Sequence, residues 1–157
     1  MTITTRAARA EDRQAVGEML SAFMDYLDAI ESFGSGAGER EAGLIDHLLD
    51  LSFGADPVCA TLIVEQDGVP VGYAGYHPGV WEIHRSIYII SLFVRPDARG
   101  GGAGRALMGA MKDVARQHGA THLTWEVWRK NPLAIDFYRA IGGLDADDNL
   151  RMSLAVA

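Results

Sequence analysis

The chain has 157 residues, of which 48% are hydrophobic, and it carries a formal net charge of -7. A chain of this length buries one sizeable core but hardly two, so we expect a single domain over residues 1–157. The acidic balance disfavours binding to nucleic acid through its phosphates and would instead attract cationic small molecules or basic peptides.

Membrane contact, secretion and metal binding are disfavoured as well. The sequence has neither a charged start followed by an apolar segment nor an apolar run of about 18 residues, so we expect a cytoplasmic protein. Cys59 is the single cysteine, which excludes an internal disulfide. The five histidines show no paired spacing on a predicted helix face, and we predict no metal.

Up to Tyr76 the chain predicts a strand, two helices separated by a glycine-rich loop, and a β-hairpin. β-branched residues indicate the strands, apolar residues at helical spacing indicate the helices, and Gln66-Asp67-Gly68 indicates the hairpin turn. The predicted ranges are residues 2–6 for the strand, from Ala10 to before Gly34 for the first helix, 32–38 for the loop, 44–51 for the second helix, and 60–65 and 69–76 for the hairpin.

The second half predicts strand, helix, strand, helix, strand. Residues 86–94 are almost continuously apolar, which is typical of a central strand covered on both faces. The elements that follow are a helix from Ala103 to near Gly119, a strand over 121–127, a helix from Asn131-Pro132 to Gly142, and a final strand over 150–156. This order predicts a mixed α/β sheet with helices on its faces.

Four glycines lie within five positions between the central strand and the next helix, at 100, 101, 102 and 104. Such a loop lets the backbone approach a ligand, and the helix that follows adds the positive end of its dipole, so the segment suits a pyrophosphate. A Walker loop is disfavoured because Gly-Lys followed by Ser or Thr is absent, and a dinucleotide-binding loop is disfavoured because it would come earlier in the chain. A nucleotide-binding protein therefore stays open as a disfavoured alternative, and a plain turn that caps the helix is the other.

Arg99-Gly100-Gly101-Gly102-Ala103-Gly104 matches the Arg/Gln-x-x-Gly-x-Gly/Ala signature of the GNAT acetyltransferases, and the chain resembles that family from about Thr2 to Leu154. It is most similar to the small diamine, polyamine and thialysine acetyltransferases and their histone-acetyltransferase-like relatives. The segments that support this are residues 53–57, Leu92-Phe93-Val94, and Asn131 through Phe137-Tyr138 with Gly142. The resemblance implies a mixed, mostly antiparallel central sheet with helices on both faces.

The resemblance also implies acetyl-CoA as co-substrate and assigns residues to it. Leu92, Phe93 and Val94 would pair with the pantetheine arm. The pyrophosphate would be held by Arg99, Gly100, Gly101, Gly102, Ala103, Gly104 and Arg105. Asn131 resembles a cofactor-contacting asparagine of the family, but as the residue before Pro132 it equally fits a helix cap.

Acyl transfer from a thioester to an amine needs a proton acceptor for the amine, a donor to the carbonyl oxygen and an acid for the thiolate. A backbone N–H near Leu92 or Phe93 is the candidate donor. Tyr138 is the candidate acid, because the resembling enzymes have a tyrosine there and a phenol can protonate a thiolate. Periodicity alone would instead assign Phe137-Tyr138 to the core.

The sequence departs from the family pattern at the position of the expected proton acceptor. Polyamine-acetylating relatives have a glutamate two residues before the Phe-Phe-Val-like triplet, where this chain has Ile90, followed by Ser91. Candidate substrate residues are Trp81, Glu82 and His84, whose segment resembles the substrate loop of histone-acetylating relatives but also fits ordinary loop polarity. Asp25, Tyr26 and Asp28 are further candidates for the substrate mouth.

Together these residues predict transfer of an acetyl group from acetyl-CoA to a primary amine of a small cationic molecule or basic peptide, by direct attack. The alternative is an acetyl-CoA-binding regulatory module without catalysis, which the missing glutamate would fit. The family resemblance further implies a homodimer that forms through the C-terminal strands.

Overall fold

A computed structural model describes residues 1–30, 42–146 and 152–156. Two short 3-10 turns, Ala10–Asp12 and Pro96–Ala98, precede α1 and the glycine-rich loop respectively. The elements of the described residues are, in chain order, β1 Ile3–Ala7, α1 Arg13–Ala29, α2 Leu44–Phe53, β2 Ala60–Gln66, β3 Val69–Trp81, β4 His84–Val94, α3 Ala103–Gln117, β5 His122–Trp125 and α4 Pro132–Ala140.

The five strands form one sheet in the order β1-β2-β3-β4-β5. The pairings from β1 to β4 are antiparallel, and β5 pairs with β4 in parallel. A parallel neighbour requires a long crossover, which α3 provides. The predicted mostly antiparallel mixed sheet is therefore confirmed.

Each face of the sheet is covered by helices, as the apolar sequence of β4 predicts. On one face the α3 residues Leu107 and Met111 pack with Ile87 and Ile89 of β4, and all four are buried. On the other face, Phe93 of β4 belongs to a second buried cluster. Its other buried members come from α1, α2 and the neighbouring strands and are Val16, Met19, Leu49, Ile63 and Tyr73.

A β-bulge interrupts β4 at Ile90. In the register with β3, Ser91 lies opposite Gly75 whereas Ile89 lies opposite Tyr76, so Ile90 is the extra residue on β4. The bulge reverses the alternation of side chains along the strand. As a result Leu92 packs in the same cluster as Ile89, although three positions separate the two residues.

The connection between β3 and β4 differs from the sequence prediction. Pro78 and Gly79 indicate the end of a strand, but both residues pair with β4, so β3 and β4 form one long hairpin. Its tip is Glu82-Ile83, where Glu82 has a φ of 52°. The segment interpreted as a substrate loop is therefore the tip of a hairpin.

The predicted final strand is wrong where it can be compared with the structure. Residues 152–156 form no strand, and residues 150–151 lie outside the described residues. The predicted glycine-rich loop over 32–38 also lies outside them. β5 is shorter than predicted because it ends at Trp125, where the chain leaves the sheet.

Candidate functional site

The strands β4 and β5 separate halfway along β4. They pair only from Ser86 to Ile89 of β4, whereas β4 continues to Val94. Beyond Ile89, the edge of β4 that faces away from β3 has no strand neighbour among the described residues. This open edge gives backbone groups of β4 room to bind an extended ligand in place of a strand.

Leu92 presents its backbone groups to the open edge. The N–H of Arg95 donates to the carbonyl of Val71 on β3, and Arg99 Nε donates to the carbonyl of Val94, at 2.9 Å. Backbone groups of successive strand residues point to opposite sides, so those of Leu92 point away from β3, as do those of Val94. The N–H of Phe93 points toward β3, which leaves Leu92 as the better of the two donors considered from sequence.

The loop after β4 has the backbone that its glycines suggest. Gly100 and Gly102 have φ values of 80° and 95°, a region that disfavours residues with a Cβ. Gly102 immediately precedes the first turn of α3, so the unpaired N–H groups of that turn lie next to the loop. A Cβ at Gly100 would have no atom within 4 Å, which leaves open space on the loop for a ligand.

A cavity of about 270 Å³, here called the loop cavity, lies between the end of β4, this loop and α4. It brings together seven residues that the sequence assigns to the cofactor: Leu92, Phe93, Val94, Arg99, Gly100, Gly104 and Asn131. Gly101, Gly102, Ala103 and Arg105 do not line it. Ala103 is buried in the core and Arg105 is exposed, so these four residues remain a prediction that rests on their backbone N–H groups.

Arg99 is held across the end of β4 by three contacts. Besides its hydrogen bond to Val94, its guanidinium carbon lies 5.5 Å from the ring centroid of Tyr26 and 5.7 Å from that of Phe93. Both distances are within the range of cation–π attraction. These contacts fix a positive charge in the wall of the loop cavity.

Asn131 caps α4, which is one of the two roles considered from sequence. Its Oδ1 accepts hydrogen bonds from the N–H of Ala134, at 3.2 Å, and from the hydroxyl of Tyr26, at 2.7 Å. The second bond joins α1 to α4 across the site. Asn131 also lines the loop cavity, so capping does not exclude contact with a cofactor.

Tyr138 is half-buried and packs against two aromatic rings. Its ring centroid lies 4.9 Å from that of Trp125 and 5.3 Å from that of Phe137. Burial raises the pKa of Tyr138 to about 12, so its phenol keeps the proton at physiological pH. Tyr138 thus packs in an aromatic cluster and also lines the loop cavity, and its role as an acid stays a prediction.

A second cavity, of about 360 Å³, lies between α1, α2 and the sheet and is here called the α2 cavity. It meets the loop cavity at five shared residues, Phe23, Leu92, Asn131, Ala134 and Tyr138. Ile90 and Ser91, which occupy the position of the expected acid, line it. Tyr138 and the open edge of β4 thus lie at the junction of two cavities.

Glu126 lines the α2 cavity and was not assigned to the site from sequence. It directly follows Trp125, the last residue of β5, whose register partner is Ile89. Its backbone therefore lies near the strand position where the acid of the relatives is missing. The sequence carries no local signal for Glu126, because finding it requires the end of β5 and the register between β4 and β5.

Trp81, Glu82 and His84 lie at the other end of β4. Trp81 and His84 form an aromatic cluster with His122, with the two imidazole centroids 4.5 Å apart. Eight residues separate His84 from Leu92, about 26 Å along a strand. None of the three lines either cavity, and their contact with substrate stays a prediction.

Among the other mouth candidates, Tyr26 lines the loop cavity, whereas Asp25 and Asp28 line neither cavity. Within the described ranges, no group of three or more His, Cys, Asp or Glu side chains is arranged to hold a metal ion. The helices described here are all too short or too polar to cross a membrane.

The family model described as Acetyltransferase (GNAT) family matches residues 21–142. A streptothricin acetyltransferase of Streptomyces lavendulae is 31% identical over 163 residues, covering 92% of this chain and 85% of that protein. A thialysine N-epsilon-acetyltransferase of Bos taurus is 31% identical over 103 residues, covering 59% and 60%.

Among solved structures, AAC(6')-Iy in complex with the bisubstrate analogue CoA-S-monomethyl-acetylneamine superposes with a TM-score of 0.76. The match covers 99% of this chain and 100% of that one at 13% sequence identity. At this identity the likeness shows that the fold is shared.

Proposed function

Because this chain belongs to the GNAT acetyltransferase family, we propose that it transfers an acetyl group from acetyl-CoA to a primary amine of a small cationic molecule or basic peptide. The chain is an acetyl-CoA-dependent N-acetyltransferase. The relatives are named for different acceptors, streptothricin and thialysine among them. The kind of amine must therefore be argued from the residues of this chain.

The junction of the two cavities at the open edge of β4 is the observation that carries the proposal. Acetyl transfer brings two molecules to one point, and here the loop cavity and the α2 cavity meet at Leu92 and Tyr138. We assign the loop cavity to acetyl-CoA and the α2 cavity to the amine. The glycine loop and Arg99, which suit a pyrophosphate, lie on the side of the loop cavity.

The residues of the loop cavity fit acetyl-CoA in both shape and charge. The backbone groups of Leu92 can pair with the amides of the pantetheine arm, as a strand would. The N–H groups at the start of α3 and the guanidinium of Arg99 favour the negative charge of the pyrophosphate. Acetyl-CoA supplies an acetyl group activated as a thioester.

During transfer, the amine attacks the thioester carbonyl, a C–N bond forms and the C–S bond breaks. We assign the N–H of Leu92, which is directed to the open edge, as the donor to the carbonyl oxygen as negative charge develops there. Tyr138, at the junction, donates a hydrogen bond to the departing sulfur. The product is an amide and a free thiol.

The raised pKa of Tyr138 defines how far it acts as an acid. A thiol has an ordinary pKa of about 8.5, so complete transfer of a proton from a phenol of pKa about 12 would be uphill by roughly 5 kcal/mol. We therefore assign Tyr138 as a hydrogen-bond donor that stabilises the thiolate. The thiolate then takes its proton from the attacking nitrogen.

Glu126 is our candidate for the proton acceptor. An alkylammonium has a pKa of about 10.4 and must lose one proton before its nitrogen can attack. Glu126 supplies a carboxylate in the wall of the α2 cavity, next to the junction. It would take over the role that Ile90 cannot perform.

The direct test is the release of free thiol from acetyl-CoA in the presence of a panel of amines. We expect thiol release that depends on both the protein and an amine, with mass spectrometry detecting the acetylated amine. Binding of acetyl-CoA without amine-dependent thiol release would instead support the regulatory module.

A further inference from the structure

Tyr26, on α1, lines the loop cavity but not the α2 cavity. The nearby α1 residues Phe23, Met24 and Leu27 all line the α2 cavity, and of these three Phe23 also lines the loop cavity. Tyr26 therefore lies on the side that we assign to acetyl-CoA, although the sequence suggested it for the substrate mouth.

The hydroxyl of Tyr26 holds its ring in place. It donates a hydrogen bond to Oδ1 of Asn131 at 2.7 Å. Asn131 is 6% exposed, and the same Oδ1 accepts the N–H of Ala134 in the cap of α4. A bond to a buried partner that is itself held restricts the rotation of the tyrosine side chain. The ring is thus attached to α1 through its own backbone and to α4 through its hydroxyl.

Arg99 is an exposed side chain that needs support to keep one orientation. An exposed arginine samples many rotamers, and fixing it when a ligand binds costs conformational entropy. The hydrogen bond to the carbonyl of Val94 uses Nε, so the two Nη groups take no part in it. Their orientation therefore depends on what packs against the guanidinium.

Two aromatic rings from different elements pack against the guanidinium. Its carbon lies 5.7 Å from the ring centroid of Phe93 and 5.5 Å from that of Tyr26, both within the range of cation–π attraction. Phe93 is 3% exposed and contacts Phe23 with ring centroids 5.6 Å apart, so the core holds it. Phe93 belongs to β4 and Tyr26 to α1, and together they restrict the guanidinium to one place beside the glycine loop.

A guanidinium with a fixed orientation is what a pyrophosphate ligand requires. Its planar fork can give a phosphate group two parallel hydrogen bonds, which form only when the plane is correctly oriented. Arg99 lines the loop cavity together with the adjacent Gly100, whose positive φ opens the loop to a ligand. The contact with Tyr26 thus acts on the part of the cavity that suits the charged end of acetyl-CoA.

We propose that Tyr26 is a positioning residue for acetyl-CoA, whose ring orients the guanidinium of Arg99 toward the pyrophosphate. The hydrogen bond to Asn131 keeps the ring in this place. Without the ring, Arg99 would distribute among several rotamers, and the affinity for acetyl-CoA would fall with the population of the binding rotamer. This inference rests on the proposed assignment of the loop cavity to acetyl-CoA and adds a residue to it.

The first test compares the Tyr26→Phe and Tyr26→Leu variants by calorimetry with acetyl-CoA. Both lack the hydroxyl and only Phe keeps an aromatic ring, so their difference reports the ring alone. We expect the Leu variant to bind acetyl-CoA between about 2-fold and 5-fold more weakly than the Phe variant, the range for one cation–π contact at an exposed site. Equal affinity of the two variants would overturn the inference.

The second test repeats this comparison in the Arg99→Gln background, with titrations followed by NMR where binding becomes weak. The Phe and Leu variants should then bind acetyl-CoA equally, because the side chain through which the ring acts is gone. A loss of the same size in both backgrounds would show that the ring supports packing only, and would overturn the inference.

The third measurement separates Tyr26 from the acceptor side. In the thiol-release assay, the KM for the amine should be equal in the Phe and Leu variants, because Tyr26 does not line the α2 cavity. A higher KM for the amine in the Leu variant, at unchanged affinity for acetyl-CoA, would instead assign Tyr26 to the acceptor site. The calorimetric comparison needs no amine, so a failure of thiol release with every amine would contradict the proposed function and leave the role of Tyr26 standing.

Discussion

Tyr138 packs in an aromatic cluster, and we propose that the same side chain also acts in the chemistry. Its ring contacts Trp125 and Phe137, and its hydroxyl stays protonated because burial raises the pKa to about 12. The Tyr138→Phe change keeps the ring and removes the donor. We expect kcat to fall by between about 10-fold and 150-fold, as for a hydrogen bond to a charged group.

In the same variant, calorimetry should find the dissociation constant for acetyl-CoA changed by no more than about twofold, because the lost bond forms only as sulfur gains charge. An unchanged kcat would show that Tyr138 contributes to packing only. A weaker affinity at unchanged kcat would assign its hydroxyl to cofactor binding.

Glu126 can be tested through the pH dependence of kcat/KM. If its carboxylate accepts the proton of the ammonium, kcat/KM of the Glu126→Gln variant at pH 7 should be about 100-fold lower than that of the wild type. The loss should shrink toward pH 10, where a substrate amine of pKa about 10.4 increasingly arrives without its proton.

Glu82→Gln is the matched control for this change, because Glu82 is an exposed carboxylate at the hairpin tip and lines neither cavity. It should leave the pH profile unchanged. A lower kcat/KM in Glu82→Gln but not in Glu126→Gln would instead identify Glu82, at the hairpin tip, as the proton acceptor.

Residues whose role follows from local sequence could be predicted, and those whose role needs strand register could not. The glycines at 100 and 102 and the arginine before them form one contiguous motif. Glu126 and Tyr73 line the α2 cavity only because β5 ends opposite Ile89 and because β3 lies next to β4. No local pattern encodes either neighbour.

At the scale of elements, the packing of α3 against α4 depends on Gly104. A Cβ at this position would lie 3.1 Å from two ring atoms of Phe137, a residue that lines the loop cavity. Gly104→Ala should push this ring into the cavity and weaken acetyl-CoA binding by about tenfold. The free energy of unfolding should stay nearly unchanged, because a gain in helix propensity of about 1 kcal/mol offsets the strain between the new Cβ and the Phe137 ring.

Gly109→Ala provides the control on the same helix, since a Cβ there would have no atom within 4 Å. It should stabilise the fold by about 0.5–1 kcal/mol and leave acetyl-CoA affinity unchanged. Denaturant unfolding and calorimetry measure the two quantities. Equal affinities of the two variants would show that Phe137 does not limit the loop cavity.

The elements predicted wrongly show what sequence patterns omit. Pro78 and Gly79 are poor strand residues, yet ten register pairs with β4 hold β3 in place through them. The apolar residues of 152–156 alternate as in a strand, but a strand also needs a neighbour to pair with its backbone. Periodicity indicates which face is apolar and does not supply the partner.

At the scale of the whole molecule, the residues after α4 bear on the homodimer that we propose. Met152, Leu154 and Val156 are 88%, 93% and 99% exposed and are spaced as on one face of a strand. A second copy could bury this face by pairing the segment as a strand. We expect a dimer by size-exclusion chromatography with light scattering, and a monomer for Leu154→Asp.

Leu144→Asp makes the same change at another exposed leucine, outside this segment, and should stay dimeric. A monomeric wild-type protein would contradict the proposal.

The order of the elements predicted the sheet, and the glycine motif together with Phe137-Tyr138 predicted the family. The separation of β4 and β5, the bulge at Ile90 and the two cavities were not predictable in this way, because each depends on how distant segments pack. The cofactor side could therefore be predicted more completely than the acceptor side.

Acetyl-CoA binding at the glycine loop is most directly tested by calorimetry on three proteins: the wild type, Gly102→Asn and Gly102→Asp. Asn and Asp both tolerate the positive φ of this position and both cap helices, so the two variants differ mainly in one negative charge. We expect acetyl-CoA to bind the wild type and the Asn variant similarly, and the Asp variant about tenfold more weakly or worse, through repulsion of the pyrophosphate. Equal affinity of the Asn and Asp variants, or binding of NAD or ATP in preference to acetyl-CoA, would contradict this assignment of the loop.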